Sequence, residues 1–215
     1  MCHQNFKYFI ALIFISIICE FSYAESLTGK VIVVDPGHAV KNPKGEIINS
    51  GCKSILGTKE LDMVVDISEM LGEMLLQKGA TVYFTRDRNN FWRTGNSQDE
   101  DNKTRAEFAN SKNAYVFLRI HCNWSQRRTK RGILVLWYKP DSKKIAESIS
   151  EELKKTGLII ETAKRQHLIG FEYSKVPAVL IEYGYLSNKE DEKLLKTREY
   201  IQKISKAVID GLEKY

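Results

Sequence analysis

The run Lys30-Val31-Ile32-Val33-Val34 is apolar at successive positions, without alternation, and stops abruptly at Asp35-Pro36-Gly37-His38. Successive strand residues point to opposite faces, so a uniform run is what a strand covered on both sides requires. Further strands are expected at Thr81–Thr85, Ala114–Ile120, Arg131–Tyr138 and Ala178–Ile181. Between them, helices are expected over Thr58–Lys78, Lys103–Ser111 and Ser142–Thr156. A last helix opens at Ser187-Asn188-Lys189-Glu190, which has capping-box spacing. This alternation predicts an α/β fold: a single domain with a mostly parallel central sheet flanked by helices. A length of 215 residues with 43% hydrophobic content suits one core and is short for two.

Residues 1–24 read as a signal peptide, leaving 25–215 as the folded domain. Lys7 precedes the apolar run Tyr8–Cys19, and Ser22-Tyr23-Ala24 offers small residues at cleavage spacing. The run is shorter than the ~20 residues of a spanning helix, and an uncleaved anchor is the alternative. An exported protein retains only Cys52 and Cys122, which are paired, free or independent; no CxxC pattern supports a structural zinc site. The net charge of +6 favours an anionic partner. Export makes cell-wall polymer or a membrane surface a better fit than nucleic acid.

In open α/β sheets, ligands bind beyond the carboxyl ends of the strands. His38 follows the first strand, His121 the third and Glu182 the last, while Glu60 sits in the first turn of the first helix. Two imidazoles and a carboxylate form a normal open zinc set, and a further carboxylate can serve as base. Each residue also has a plainer reading: the histidines as hydrogen-bonding loop residues, Glu60 as a complement to the helix dipole, Glu182 as the partner of an Arg. The loop 39–57 borders this rim.

Several motifs in order extend the argument: Val33-Val34-Asp35-Pro36-Gly37-His38, Lys59-Glu60, Gly79-Ala80-Thr81-Val82 with Thr85-Arg86, Arg105 with Ala109-Asn110, Ile120-His121-Cys122-Asn123, Gly132-Ile133, and the stretch Pro177 to Asn188. Through them the chain from Gly29 to Tyr215 resembles the zinc-dependent N-acetylmuramoyl-L-alanine amidases of the type 3 amidase family. The resemblance implies that His38, Glu60 and His121 hold one Zn2+ per chain and that Glu182 is the catalytic acid/base. It implies hydrolysis of the amide between the muramic acid lactyl group and L-alanine in peptidoglycan, by an exported protein that is periplasmic or cell-wall associated. The competing readings are a zinc peptidase or deacetylase of the wall and a catalytically silent wall-binding domain. No stable membrane span remains after signal cleavage, and any activator or wall-associated protein partner is unspecified.

The chain departs from the family pattern at Ala39-Val40, where Gly-Gly is usual, at Arg119, where Ser is usual, and at Cys122. Some members carry an extra helix that plugs the zinc site before the last strand; Leu158–Ser174 shows no spare element for one. Gln126-Arg127-Arg128-Thr129-Lys130-Arg131 either meets stem carboxylates or forms a solvated loop. Trp124 either stacks on a sugar or packs. His167 is expected to be structural or outer-shell rather than a ligand.

Overall fold

Strand β1 (Val31–Pro36) runs through the interior, with every residue from Ile32 to Pro36 buried. The computed structural model describes residues 26–41, 44–88 and 97–215. The expected signal peptide lies outside them, and no described helix is long and apolar enough to cross a membrane. A small hairpin follows β1, made of β2 (Val40–Lys41) and β3 (Ile47–Asn49). Then come α1 (Glu60–Gln77), β4 (Thr81–Phe84), α2 (Gln98–Ser111), β5 (Val116–Asn123), β6 (Leu134–Trp137) and α3 (Pro140–Lys155). The chain ends with β7 (Lys164–Arg165), α4 (Ile169–Tyr173), β8 (Ala178–Tyr185), α5 (Lys189–Leu195) and α6 (Arg198–Glu213).

The main sheet is six-stranded in the order β4-β1-β5-β8-β6-β7. All pairs are parallel except β6 with β8. Apolar clusters cover both faces, which accounts for the uniform first strand. Ile32 and Val34 pack with Val64, Leu71, Ile149 and Val208 from α1, α3 and α6. Val33 faces the other way, toward Ala106 and Ala109 of α2 and Phe171 of α4.

Four local features differ from expectation. Helix α2 begins at Gln98, because Ser97 Oγ accepts from Glu100 N at 3.2 Å and Asp99, Glu100 and Asp101 complement the helix N-terminus. Its polar first turn carries no apolar stripe for periodicity to detect. The final helix is two helices, and the cap is Asn188, whose Oδ1 accepts from Glu190 N at 3.0 Å and Asp191 N at 3.1 Å. Ser187 Oγ instead accepts from Ser125 N, so no capping box forms. Between Leu158 and Ser174 lie β7 and α4, too short for a period to emerge. Finally, β5 and β8 run on past Ile120 and Ile181, so His121 and Glu182 lie within strands rather than after them. A polar side chain facing a cleft looks, in sequence, like a strand end.

The turn after β1 is held by buried charge. Asp35, fully buried, accepts from Thr85 Oγ1, from Arg105 Nη1 at 2.8 Å and from Arg119 Nε at 2.9 Å. Arg105 reaches on to Pro36 O at 2.9 Å and His38 O at 2.7 Å, and its Nε donates to Asp101 at 2.7 Å. Arg86 donates to the carbonyls of Pro36, Gly37 and Leu61. Burial raises the Asp35 pKa, but the two guanidinium charges and the hydrogen bonds outweigh it and hold the carboxyl well below the usual range. A lowered folded-state pKa stabilises the fold above the unfolded value of about 3.9, and that contribution is lost as pH falls below it. Asp35→Asn is expected to destabilise by about 3–5 kcal/mol near neutrality, since it strands buried cations. Urea denaturation of both proteins from pH 7 to pH 3 measures this, and the gap between them should narrow on acidification.

Candidate metal centre

His38 and Ala39 follow β1 with φ of 65° each, a left-handed conformation that costs L-residues ~1–2 kcal/mol apiece. The Arg105 bond to His38 O and the bond from Ala39 N to Asn49 O at 2.7 Å hold the pair there. Ala39 thus occupies a backbone position where the glycine usual in the resembled family would be unstrained. Gly37 has its own requirement: a Cβ there would strike the His121 ring.

The turn aims His38 Nε2 at Glu60 Oε1, 2.8 Å away, and His121 Nδ1 lies 3.1 Å from His38 Nε2 and 3.4 Å from Glu60 Oε1. His38 enters from the β1 turn, Glu60 from the first residue of α1 and His121 from β5. The hydrogen bonds around them decide which atoms are acceptors. Gly51 N donates to Asn49 Oδ1 at 3.2 Å, and His38 Nδ1 lies 3.0 Å from the same oxygen. Nδ1 of His38 therefore carries the proton, and in the neutral ring Nε2 presents a lone pair to a carboxylate oxygen. Acceptors converging in this way call for a cation. The separations are close to the ~3.3 Å between ligand atoms of a tetrahedral zinc site, and one atom from each of the three residues lies within 4.8 Å of the others.

Glu60 is fixed on both oxygens: Oε2 accepts from Cys52 N at 2.9 Å and Oε1 from Cys122 N at 3.0 Å. Burial raises its pKa, but contacts with the protonated forms of His121 and His38 would more than offset this, and with the rings neutral the two backbone N–H groups favour the anion. Burial pushes His121 down to about 4, against the opposing bond to Glu60. At neutral pH the ring is uncharged, as a metal ligand must be. Residues 32–214 match the N-acetylmuramoyl-L-alanine amidase family. The chain belongs to that family.

It is 32% identical over 190 residues to a probable cell wall amidase, LytH, of Staphylococcus aureus. That match covers 88% of this chain and 59% of the relative, so the chain spans about three-fifths of the length of the curated relatives it matches. The fold is similar to the catalytic domain of CwlV, an N-acetylmuramoyl-L-alanine amidase from Bacillus (Paenibacillus) polymyxa var. colistinus. The two share 25% identity and a TM-score of 0.74 over 86% of this chain and 97% of that one. It is also similar to the CwlD amidase of Clostridioides difficile, solved in complex with the GerS lipoprotein, at 29% identity and a TM-score of 0.72 over 86% of this chain and 98% of that one.

Glu182 stands directly across from His121 in the β5–β8 register, one strand spacing of about 4.8 Å away. Both residues line a cleft of about 250 Å³, floored by Leu136 and Leu180 and walled by the start of α2 and by Gln166, Leu168 and Ile169. Glu182 Oε2 is buried with no hydrogen-bond partner among the described residues. Burial, then repulsion from Glu60 and Glu161, pushes its pKa up to about 8 although Arg119 opposes the shift. The segment leading into α4 forms a side of this cleft, and Leu158–Ser174 holds the short β7 and α4 where the sequence showed no element.

Other candidates fall outside the three-residue cluster. Within the basic stretch, Arg131 pairs with Asp191 at 3.1 Å, Lys130 with Glu161 at 3.6 Å, and Arg128 covers the ring of half-exposed Trp124. His167 is exposed and bonds Glu172 at 2.9 Å. Cys52 and Cys122 are free thiols. Sequence reasoning missed Asn49, whose only signal was its place in the loop expected to border the site. Asn49→Ala removes the bond that orients His38, so divalent-metal affinity is expected to fall ~10–100-fold. Isothermal titration calorimetry with Zn2+ checks it; unchanged affinity would show that Asn49 does not orient His38.

Proposed function

We propose that this protein is a zinc amidase that hydrolyses the bond between the muramic acid lactyl group and L-alanine of the peptidoglycan stem, outside the cytoplasm in periplasm or wall. The observation that carries the reading is the pairing of three convergent acceptors, on His38, Glu60 and His121, with an unpartnered buried carboxylate on the adjacent strand. Membership of the amidase family supports the choice of bond. Similarity to LytH, a probable cell wall amidase, supports the compartment.

In this reading His38 Nε2, His121 Nδ1 and Glu60 would hold one Zn2+. When bound, the ion supplies Lewis acidity toward an amide carbonyl, acidifies water, and offsets the repulsion that Glu60 exerts on Glu182. Glu182 Oε2 takes the proton from the attacking water and delivers it to the alanine nitrogen as the C–N bond breaks. Amines leave poorly as anions, so this delivery is a requirement of the reaction. Leu136 and Leu180 supply the apolar part of the cleft lining beside Glu182.

Digestion of purified wall, followed by liquid chromatography with mass detection, should release stem peptides starting with L-alanine and leave bare lactyl groups, and a chelator should abolish both products. Sugar deacetylation or cleavage within the stem would instead favour a deacetylase or a peptidase. Glu182→Gln is expected to retain one zinc per chain and its melting temperature while turnover falls by ~10²–10⁴. Full activity per folded molecule would refute the catalytic role. His38→Ala and His121→Ala should lose the metal, and undiminished zinc in both would sink the ligand assignment.

A further inference from the structure

Arg119 is a charged group of the cleft that the amidase reading does not bring to the substrate. It lies two residues before His121 on β5 and lines the same cleft as His121 and Glu182. Its Nε donates to Asp35 Oδ2 at 2.9 Å and its Nη2 to Asn102 Oδ1, which fixes the guanidinium plane. Nη1 has no hydrogen-bond partner among the described residues and passes over Gly170, where any Cβ would strike it. Asp35 already receives Arg105 and Thr85. The surrounding buried group holds Arg86, Arg105 and Arg119 against Asp35 and Asp101. A guanidinium held on a rigid plane at a cleft wall, with N–H groups left over on Nη1, can receive a carboxylate. Asp99, the other carboxylate of the lining besides Glu182, is exposed at the start of α2.

We propose that Arg119 is a specificity residue that binds the α-carboxylate of the second stem residue, the one following the alanine. The proposal rests on the amidase reading, which places the alanine nitrogen beside Glu182. Arg119 and His121 lie on one face of β5 two residues apart, both in the cleft lining, and successive stem residues are about 3.8 Å apart at Cα, so the second stem residue lies along the same cleft wall. A stem whose second residue is isoglutamate carries that charge, and a stem with isoglutamine does not. An amide there would face Nη1 with its neutral oxygen and forfeit the charge-assisted bond.

The test compares two synthetic disaccharide muropeptides with tetrapeptide stems that differ only in isoglutamate or isoglutamine at the second position. Zinc-loaded wild type should favour the acid roughly 10- to 100-fold in kcat/KM, mostly through KM, as expected for one charge-assisted hydrogen bond. In Arg119→Ser the ratio should collapse to within about twofold, and Arg119→Lys should keep part of it. Equal cleavage of both stems by wild type would overturn the proposal and leave the amidase reading intact. So would an undiminished ratio in the serine variant. Cleavage of neither stem, with wall polymer also untouched, would overturn the amidase reading and this inference together. If the serine variant fails to fold, the wild-type ratio and the lysine variant decide, with melting temperatures taken on the same preparations.

Discussion

The grip of two buried arginines on the backbone just past β1 is the constraint from which the rest of the site follows. Arg86 and Arg105 together bind the carbonyls of Pro36, Gly37 and His38, and Asp35 balances their charge from inside the strand. Without those donors the turn would leave buried carbonyls unpaired, at ~1–3 kcal/mol each. With them, His38 and Ala39 can remain left-handed, and a side chain that would otherwise continue along the strand turns across the rim toward α1 and β5. Thr85 at the end of β4 and Arg105 within α2 join the same network, so the sheet edge and a flanking helix both set the imidazole direction.

Two buried carboxylates near one another then acquire opposite characters. Glu60 receives two backbone N–H groups, which favour its ionised form despite burial. Glu182 receives no such donors on Oε2, feels the charge of Glu60, and is pushed up to about 8. Pairs of acids whose environments drive them apart are how one site divides roles between a fixed anion and a proton carrier. Here the division follows from where backbone N–H groups point. The chain entering α1 at Cys52 and the continuation of β5 at Cys122 both turn theirs to Glu60. This gives the two cysteine positions a role through backbone rather than thiol.

Much of this was legible in the sequence. The uniform apolar run of β1, the helical stripe of α1 and the alternation of elements lead to the α/β sheet, because burial on both faces leaves a plain pattern. The convergence of His38, Glu60 and His121 followed from strand ends plus resemblance, and the geometry brings them together. What sequence could not supply was the state of Asp35, Arg86, Arg105 and Arg119. Spacing says nothing about which acid pairs with which base, and these contacts join residues up to 84 positions apart. Asn49 was hidden for the same reason, in a loop without periodicity. The start of α2 and the split of the last helix were missed because caps and polar first turns are hydrogen-bond events with no hydrophobic signature.

Placement of His121 and Glu182 within strands, rather than just beyond them, has a physical consequence. Glu182 is paired on both sides, with His121 of β5 and Leu134 of β6, while His121 lies one residue past the last β1–β5 pair, Pro36 with Ile120. The register His121↔Glu182 therefore sets the separation of the proposed ligand from the proposed proton carrier more tightly than loops could. Beside this rigid pair, the hairpin β2–β3 exposes Ile47 and Ile48, and Ile55 and Leu56 are exposed further along the same loop. Yet that loop is not loose at its root, since Ser54 and Thr58 both bond Glu192 of α5, at 2.6 and 2.7 Å. The second helix-bound acid thus anchors the segment that carries Cys52 N to Glu60, and the rigid half of the site extends from the sheet into the loop above it.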